Sequence, residues 1–173
     1  MFSPSMFFGE YCVYPFQEYT VAFPGNWEAL SELMVYKLCK MREPRLRVWV
    51  GEKNGKSAVG GVLLLPVAKS FNLSLSESYR EAACIQAIGE MALQSYAIDS
   101  FVIQKRGHVE MDGVSTPYFI ADLHGAQVEK QKLLVFACLR KYRHYCVGFY
   151  CDQRDFKEFK KTFLEVAKTF RVS

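Results

Sequence analysis

The side chains here with capacity for nucleophilic, acid–base or metal chemistry are three histidines and six cysteines, and their spacing decides which of those chemistries is open. His108 stands between Arg106 and Glu110, His124 precedes Gly125, and His144 follows Arg143. Cys12, Cys39, Cys84, Cys138, Cys146 and Cys151 are scattered through apolar segments and form no Cys-x-x-Cys pair. A zinc site needs three or four ligands brought together, and no spacing among His108, Asp122, His124, His144, Cys146 and Cys151 matches a zinc pattern. A thiol nucleophile needs a neighbouring base; His124 or His144 meeting Cys138 or Cys146 across strands is the arrangement that the sequence leaves open. The phosphate-cradling glycine motifs, the His-Glu-x-x-His helix and the Gly-x-Ser-x-Gly elbow are all absent from the chain. The reading is therefore a protein that is not an enzyme, with no cofactor and no metal, and with a Cys/His thiol enzyme as the alternative.

One basic cluster stands out: Arg140, Lys141, Tyr142, Arg143 and His144, at the expected tip of a hairpin. Cations interleaved with an aromatic ring can grip phosphates or stack on bases. They can also meet an acidic protein, or be a turn that faces water. A formal net charge of +4 over 173 residues is mild, so an acidic protein partner ranks ahead of nucleic acid. A second group, Lys40, Arg42, Arg45 and Arg47, is interrupted by Glu43.

The elements that would carry these residues follow from periodicity. Half the residues are apolar or aromatic, enough for a real core in a domain of this size. No linker or repeat divides the chain, which predicts one domain over residues 1–173. Residues 1–10 form a greasy arm (Met1, Phe2, Met6, Phe7 and Phe8) suited to folding back on the body or to forming a homodimer seam. That arm has no cation before its apolar residues, so no secretory leader is read and the expectation is cytoplasmic. No apolar run reaches the length of a membrane span.

Tyr19 to Phe23 alternates and stops at Pro24-Gly25, and Leu46 to Val50 alternates ahead of Lys53-Asn54-Gly55-Lys56. Asn-Gly is the strongest short hairpin signal, because both residues accept the positive φ of a type I′ turn; the return strand is expected over Ala58 to Val67. Between Trp27 and Lys40, Leu30, Leu33, Met34 and Leu38 fit a helix, while Leu33 to Leu38 also fits a strand. Ser74 with Glu77 forms a capping box that opens a helix, with Cys84, Ile85, Ile88, Met91 and Ala92 on one stripe. Four strands follow: Phe101 to Glu110, Pro117 to Leu123, Lys132 to Leu139 and Tyr145 to Cys151. Leu133 to Leu139 is apolar on both alternating faces, which suits a central strand covered on both sides. In the last helix Phe156, Phe159, Phe163, Val166, Ala167 and Phe170 recur at three- and four-residue spacing, with Asp152 or Asp155 available as cap. The fold class expected is α+β: one antiparallel β-sheet with helices packed on both faces, an α/β/α sandwich.

In this order the elements resemble the PsbP/Mog/DcrB superfamily of α/β/α sandwiches. The likeness rests on Tyr19-Thr20-Val21-Ala22-Phe23-Pro24-Gly25-Asn26-Trp27, similar to the family's opening strand and Pro-x-x-Trp turn. Leu46 to Val50, the helix from Ser74 and the close from Val135 to Phe170 complete it. The pattern is most similar to small bacterial members, including DcrB-like proteins and Eag-type chaperones. In those the residues after the Trp form a strand, so the resemblance implies a strand over Leu33-Met34-Val35-Tyr36. It also implies a non-enzymatic chaperone, binding or assembly protein whose partner is another protein.

Overall fold

A computed structural model describes residues 6–8, 11–40, 45–65, 76–95, 100–125, 128–141 and 143–173. Among them β-strands dominate, and the paired strands run antiparallel throughout. Strands β1 (Met6–Phe8), β2 (Tyr11–Pro15) and β3 (Tyr19–Pro24) form a meander. The short β4 (Glu28–Ala29) and helix α1 (Glu32–Cys39) follow, then the hairpin β5 (Leu46–Lys53) and β6 (Lys56–Leu65). Helix α2 (Glu77–Ser95) leads into β7 (Ser100–Met111), β8 (Val114–Gly125), β9 (Val128–Arg140) and β10 (Arg143–Asp152). Helix α3 (Phe156–Thr169) and β11 (Arg171–Val172) close the chain.

The strands divide between two sheets, where the sequence reading had one layer. The larger has the order β4-β5-β6-β10-β9-β8-β7 and the smaller β1-β2-β3-β11. Tyr19 to Phe23 thus lies inside a separate small sheet: its partners are Tyr11 to Pro15 on one side and Arg171–Val172 on the other. The terminal strand that completes it lies more than 140 residues away along the chain, a pairing that alternation within a segment does not encode. The N-terminal arm enters this sheet through Met6 to Phe8, which pair with Val13 to Tyr11.

Local chemistry sets the turns. Asn54 and Gly55 have φ of 53° and 72°, and Asp112 and Gly113 have 54° and 70°. These left-handed pairs close two-residue hairpins with Lys53 opposite Lys56 and Met111 opposite Val114. The β6 strand ends at Leu65; Pro66 and Val67 of the expected strand, and Ser74 of the expected capping box, lie outside the described residues. The cap that is described for α2 is Ser76, whose Oγ accepts from the Tyr79 N–H at 3.1 Å. Of the stripe expected on α2, Cys84 and Ile88 are buried, and the side chains of Met91 and Ala92 are outside the described set.

The segment 33–36 is helical, which corrects the strand that the resemblance implied. Ser31 Oγ accepts from the Met34 N–H at 3.3 Å, and Lys40, at φ 57°, turns its N–H back to the Tyr36 carbonyl. Val35 and Cys39 lie one helical turn apart and are the buried residues of α1. A strand would have put Leu33, Val35 and Lys37 on one face, mixing a cation into the core, whereas the helix buries two small apolar residues and keeps Lys37 in water.

Two apolar clusters use alternate residues of the interior strand β9. Leu134, Phe136 and Cys138 of β9 join Phe159, Phe163 and Phe170, with Tyr145, Val147 and Phe149 of β10. Leu133, Val135 and Ala137 instead join Cys84 and Ile88 of α2, Val35 and Cys39 of α1, and Cys146. This is why β9 reads as apolar at every position. Phe163 is enclosed by rings: Phe149 stacks on it at 4.9 Å, Phe159 at 5.8 Å, and Trp27 meets it edge-on at 6.4 Å. Asp155 occupies the N-cap position of α3 without a side-chain cap bond; Asp152 instead accepts from the Arg154 N–H at 2.8 Å.

Strand β7 ends the larger sheet and is blunted rather than flat. Its register with β8 slips between Ile103 and Lys105. Arg106 is gripped by both carboxylate oxygens of Glu81 on α2, and His108 Nε2 lies 2.9 Å from Glu77 Oε1. A bulge and a row of charged side chains are how an edge strand resists pairing with other chains.

Candidate functional site

The six cysteines are buried free thiols. Burial pushes the thiols of Cys138 and Cys151 up to about 12. Cys84 is also raised, first by its hydrogen bond with Cys146 and then by burial. Each of these shifts favours the protonated thiol, the reverse of what a nucleophilic cysteine requires. His144, 2% exposed, has its pKa lowered by burial and then by the Arg80 cation, and its ring meets Tyr79 edge-on at 6.2 Å. Of the Cys/His reading, Cys138 and His144 are thus enclosed groups whose surroundings favour their neutral forms. Among the described residues no group of three or more His, Cys, Asp or Glu is placed to hold a metal ion.

The basic cluster of residues 140–144 is divided by the fold. Arg140 is buried: its Nη2 donates to the Met111 carbonyl and to Thr116 Oγ1, both at 2.7 Å, and Nη1 donates to the Leu139 carbonyl at 2.8 Å. It ties β9 to the ends of β7 and β8. His144 points into the interior, Tyr142 is outside the described residues, and Lys141 and Arg143 face solvent. Lys141, at φ 47°, is part of the turn. In the second group Arg47 is likewise buried, its guanidinium 3.8 Å above the Phe16 ring and 3.4 Å from Glu18. Lys40 lies 5.4 Å over the Tyr36 ring, Arg45 is exposed, and Arg42 lies outside the described residues.

A cavity of about 590 Å³ opens beside the β5–β6 turn, lined by Lys56, Val59, Gln131, Tyr150, Arg154 and Asp155 among others. Its charges are already matched. Lys56 Nζ lies 3.0 Å from Glu158 and 3.6 Å from Asp155, contacts that raise its pKa, and Arg154 pairs with Asp152 at 3.0 Å. No unmet charge there selects a ligand.

Helix α1 departs most from what a solvated surface should be. Leu33 is 60% exposed, Leu38 47%, Met34 45% and Tyr36 37%, so among the described residues four of the seven exposed large apolar side chains lie on this one helix. Glu32 opens the patch, and Lys37 and Lys40 close it. Apolar side chains clustered on the outside mark a contact surface for another macromolecule. The sequence reading did not single out these residues as a site. The signal available was the ambiguity itself: a segment that fits helix and strand equally carries apolar residues on more than one side, and an eight-residue helix cannot bury them all.

The comparisons bear on the fold. Cyanobacterial PsbP (CyanoP) from Synechocystis superposes with a TM-score of 0.63 at 12% identity, covering 98% of this chain and 96% of that one. The Ran-binding protein Mog1p of Saccharomyces cerevisiae superposes with a TM-score of 0.59 at 9% identity, covering 90% of each chain. The chain has the PsbP/Mog-like fold. At these identities the likeness shows architecture and carries no residue-level site. No protein-family model and no curated protein matches the sequence. Among the described residues no helix is long and apolar enough to cross a membrane.

Proposed function

We propose that this chain is a non-catalytic protein-binding accessory factor, and that α1 is the surface by which it holds its partner. The observation that carries the reading is the exposed apolar set Leu33, Met34, Tyr36 and Leu38 on a helix whose inner residues, Val35 and Cys39, already anchor it to the core. A docking element needs both: apolar side chains exposed to solvent and a rigid seat that spares the ordering cost on binding. The thiols held in their protonated form favour binding over bond-making, and one neighbour of the same fold carries a protein-binding name, Ran-binding Mog1p. Helices on opposite faces of the larger sheet, as alternate residues of β9 suggest, would leave α1 at the rim of one covered face. Lys141 and Arg143 offer a secondary charged contact; the buried Arg140 and His144 serve the scaffold.

The test is retention of a partner from a lysate of the source organism on immobilised wild-type protein and on a Met34→Glu/Leu38→Glu variant. The expected result is one stoichiometric protein, held by the wild type and lost by the variant while circular dichroism shows both folded. Equal retention on the two, or none on either, refutes α1 as the docking surface.

A further inference from the structure

Helix α3 carries its charges on separate flanks. At about 100° per residue, Lys157, Lys160, Lys161, Leu164 and Lys168 fall within about 100° of arc, and Glu158 and Glu165 fall beyond it. The chain itself satisfies the acidic flank: Tyr11 donates to Glu165 at 2.6 Å, and Lys56 lies 3.0 Å from Glu158. Thr169 Oγ1, on the same side, accepts from the Ala22 N–H at 2.8 Å. That flank therefore faces β2, β3 and β6. The basic flank faces the other way, toward β7, which α3 also touches. Lys161 reaches Glu165 at 3.9 Å, and among the described residues Lys157, Lys160 and Lys168 have no ion-pair partner. Lys105 of β7 stands opposite Ile120, whose side chain joins the α3 cluster, so it points to the side on which α3 lies. Leu164, Val109 and Tyr118 are half-buried against that cluster. Apolar side chains are thus left partly in water between cations on the helix and one on the strand. The arrangement costs the helix stability, because Lys157 and Lys161 repel each other four residues apart, and Lys157 sits in the first turn, where the macrodipole disfavours a cation. A helix that served only to cover the core gains nothing from either.

We infer that the basic flank of α3, with Lys105 across from it, is a contact surface for an acidic polypeptide segment that also carries apolar side chains. The contact is separate from α1, whose inner residues join the other apolar cluster, and it stands whether or not α1 docks a partner. Charge complementarity sets the sign of the partner, and two features set its class. The cations of this flank are all lysines, with none of the arginine forks that match phosphate bidentately. Leu164 lies among them half-buried, within reach of a peptide's apolar side chain but too recessed to enter a bilayer. The row from Lys157 to Lys168 is about 16 Å long, the span of about five residues of extended peptide.

Fluorescence anisotropy of a labelled peptide with a Glu-Glu-Leu repeat, about twelve residues long, tests this at about 50 and 200 mM salt. The wild type is expected to bind at the lower salt and to weaken at the higher. Lys157→Gln/Lys168→Gln should weaken binding about fivefold with an unchanged circular dichroism spectrum, whereas Arg45→Gln/Lys53→Gln, which removes the same charge elsewhere, should change it less than about twofold. A Glu-Glu-Ser repeat should bind about threefold more weakly than Glu-Glu-Leu, because it offers Leu164 nothing apolar. No binding by the wild type, equal losses in the two double variants, or equal binding of the two peptides overturns the inference. So does tighter binding of single-stranded DNA, or of phosphatidylcholine vesicles with about 30% phosphatidylserine, that is lost in Lys157→Gln/Lys168→Gln, since the flank is then a phosphate surface.

Discussion

Replacing one buried and one exposed apolar residue by alanine separates what this fold needs from what it offers. Phe163 is fully buried, stacked on Phe149 and Phe159 and edge-on to Trp27, whereas Leu33 is 60% exposed on α1. An aromatic side chain buries roughly 150–250 Å², and at about 25 cal/mol per Å² this corresponds to about 4–6 kcal/mol for the whole ring. Alanine retains part of that burial but leaves a cavity that rigid neighbouring rings cannot close, so the expected loss for Phe163→Ala is about 3–5 kcal/mol. For a chain of this length the melting temperature falls by roughly 6–20 °C. Leu33→Ala removes atoms that are mostly in water already and substitutes a better helix former, so its expected effect is within about 0.5 kcal/mol of zero. Urea unfolding followed by circular dichroism, with the slope checked for constancy, measures both. A loss above about 2 kcal/mol for Leu33→Ala would show that α1 is covered by the chain itself, and would remove the basis for docking there. A loss below about 1 kcal/mol for Phe163→Ala would mean that the ring cluster is not the core.

Two further outcomes follow from buried groups. The pKa of His144 is lowered in the folded state by burial and by Arg80, so below its ordinary value near 6.5 the unfolded chain takes up a proton that the folded chain resists. Stability should thus be intact above about pH 6.5 and decline as pH falls below it, with a slope of at most about 1.4 kcal/mol per pH unit from this group; His144→Gln should flatten that decline between pH 5 and 7, and unfolding midpoints with identical slopes would refute the assignment. Gly51 lies against Trp27, where an added Cβ would run into the indole ring, while one at Gly89 in α2 meets nothing within 4 Å. Gly51→Ala should therefore cost about 1–3 kcal/mol, whereas Gly89→Ala should gain up to about 1 kcal/mol from helix propensity; two shifts of the same sign in thermal melts would contradict this packing.

What the sequence by itself determined was local or strongly periodic. The Asn54-Gly55 hairpin, the phenylalanine stripe of α3 and the doubly apolar β9 were all legible, because each is written in neighbouring residues through turn chemistry or a repeat of 3.6 or two. The tertiary structure alone decided where those elements meet. The smaller sheet is completed by Arg171–Val172 reaching back to Tyr19 and Thr20, a contact far apart in sequence. Arg140 and His144 looked like a solvated tip because a cation in a turn normally faces water; the Met111 carbonyl and Thr116 Oγ1, which satisfy the Arg140 guanidinium, arrive from another hairpin. Leu33 to Leu38 were ambiguous for the same reason: propensity fits two forms, and only the neighbours available to Val35 and Cys39 select the helix and leave Leu33 and Met34 exposed.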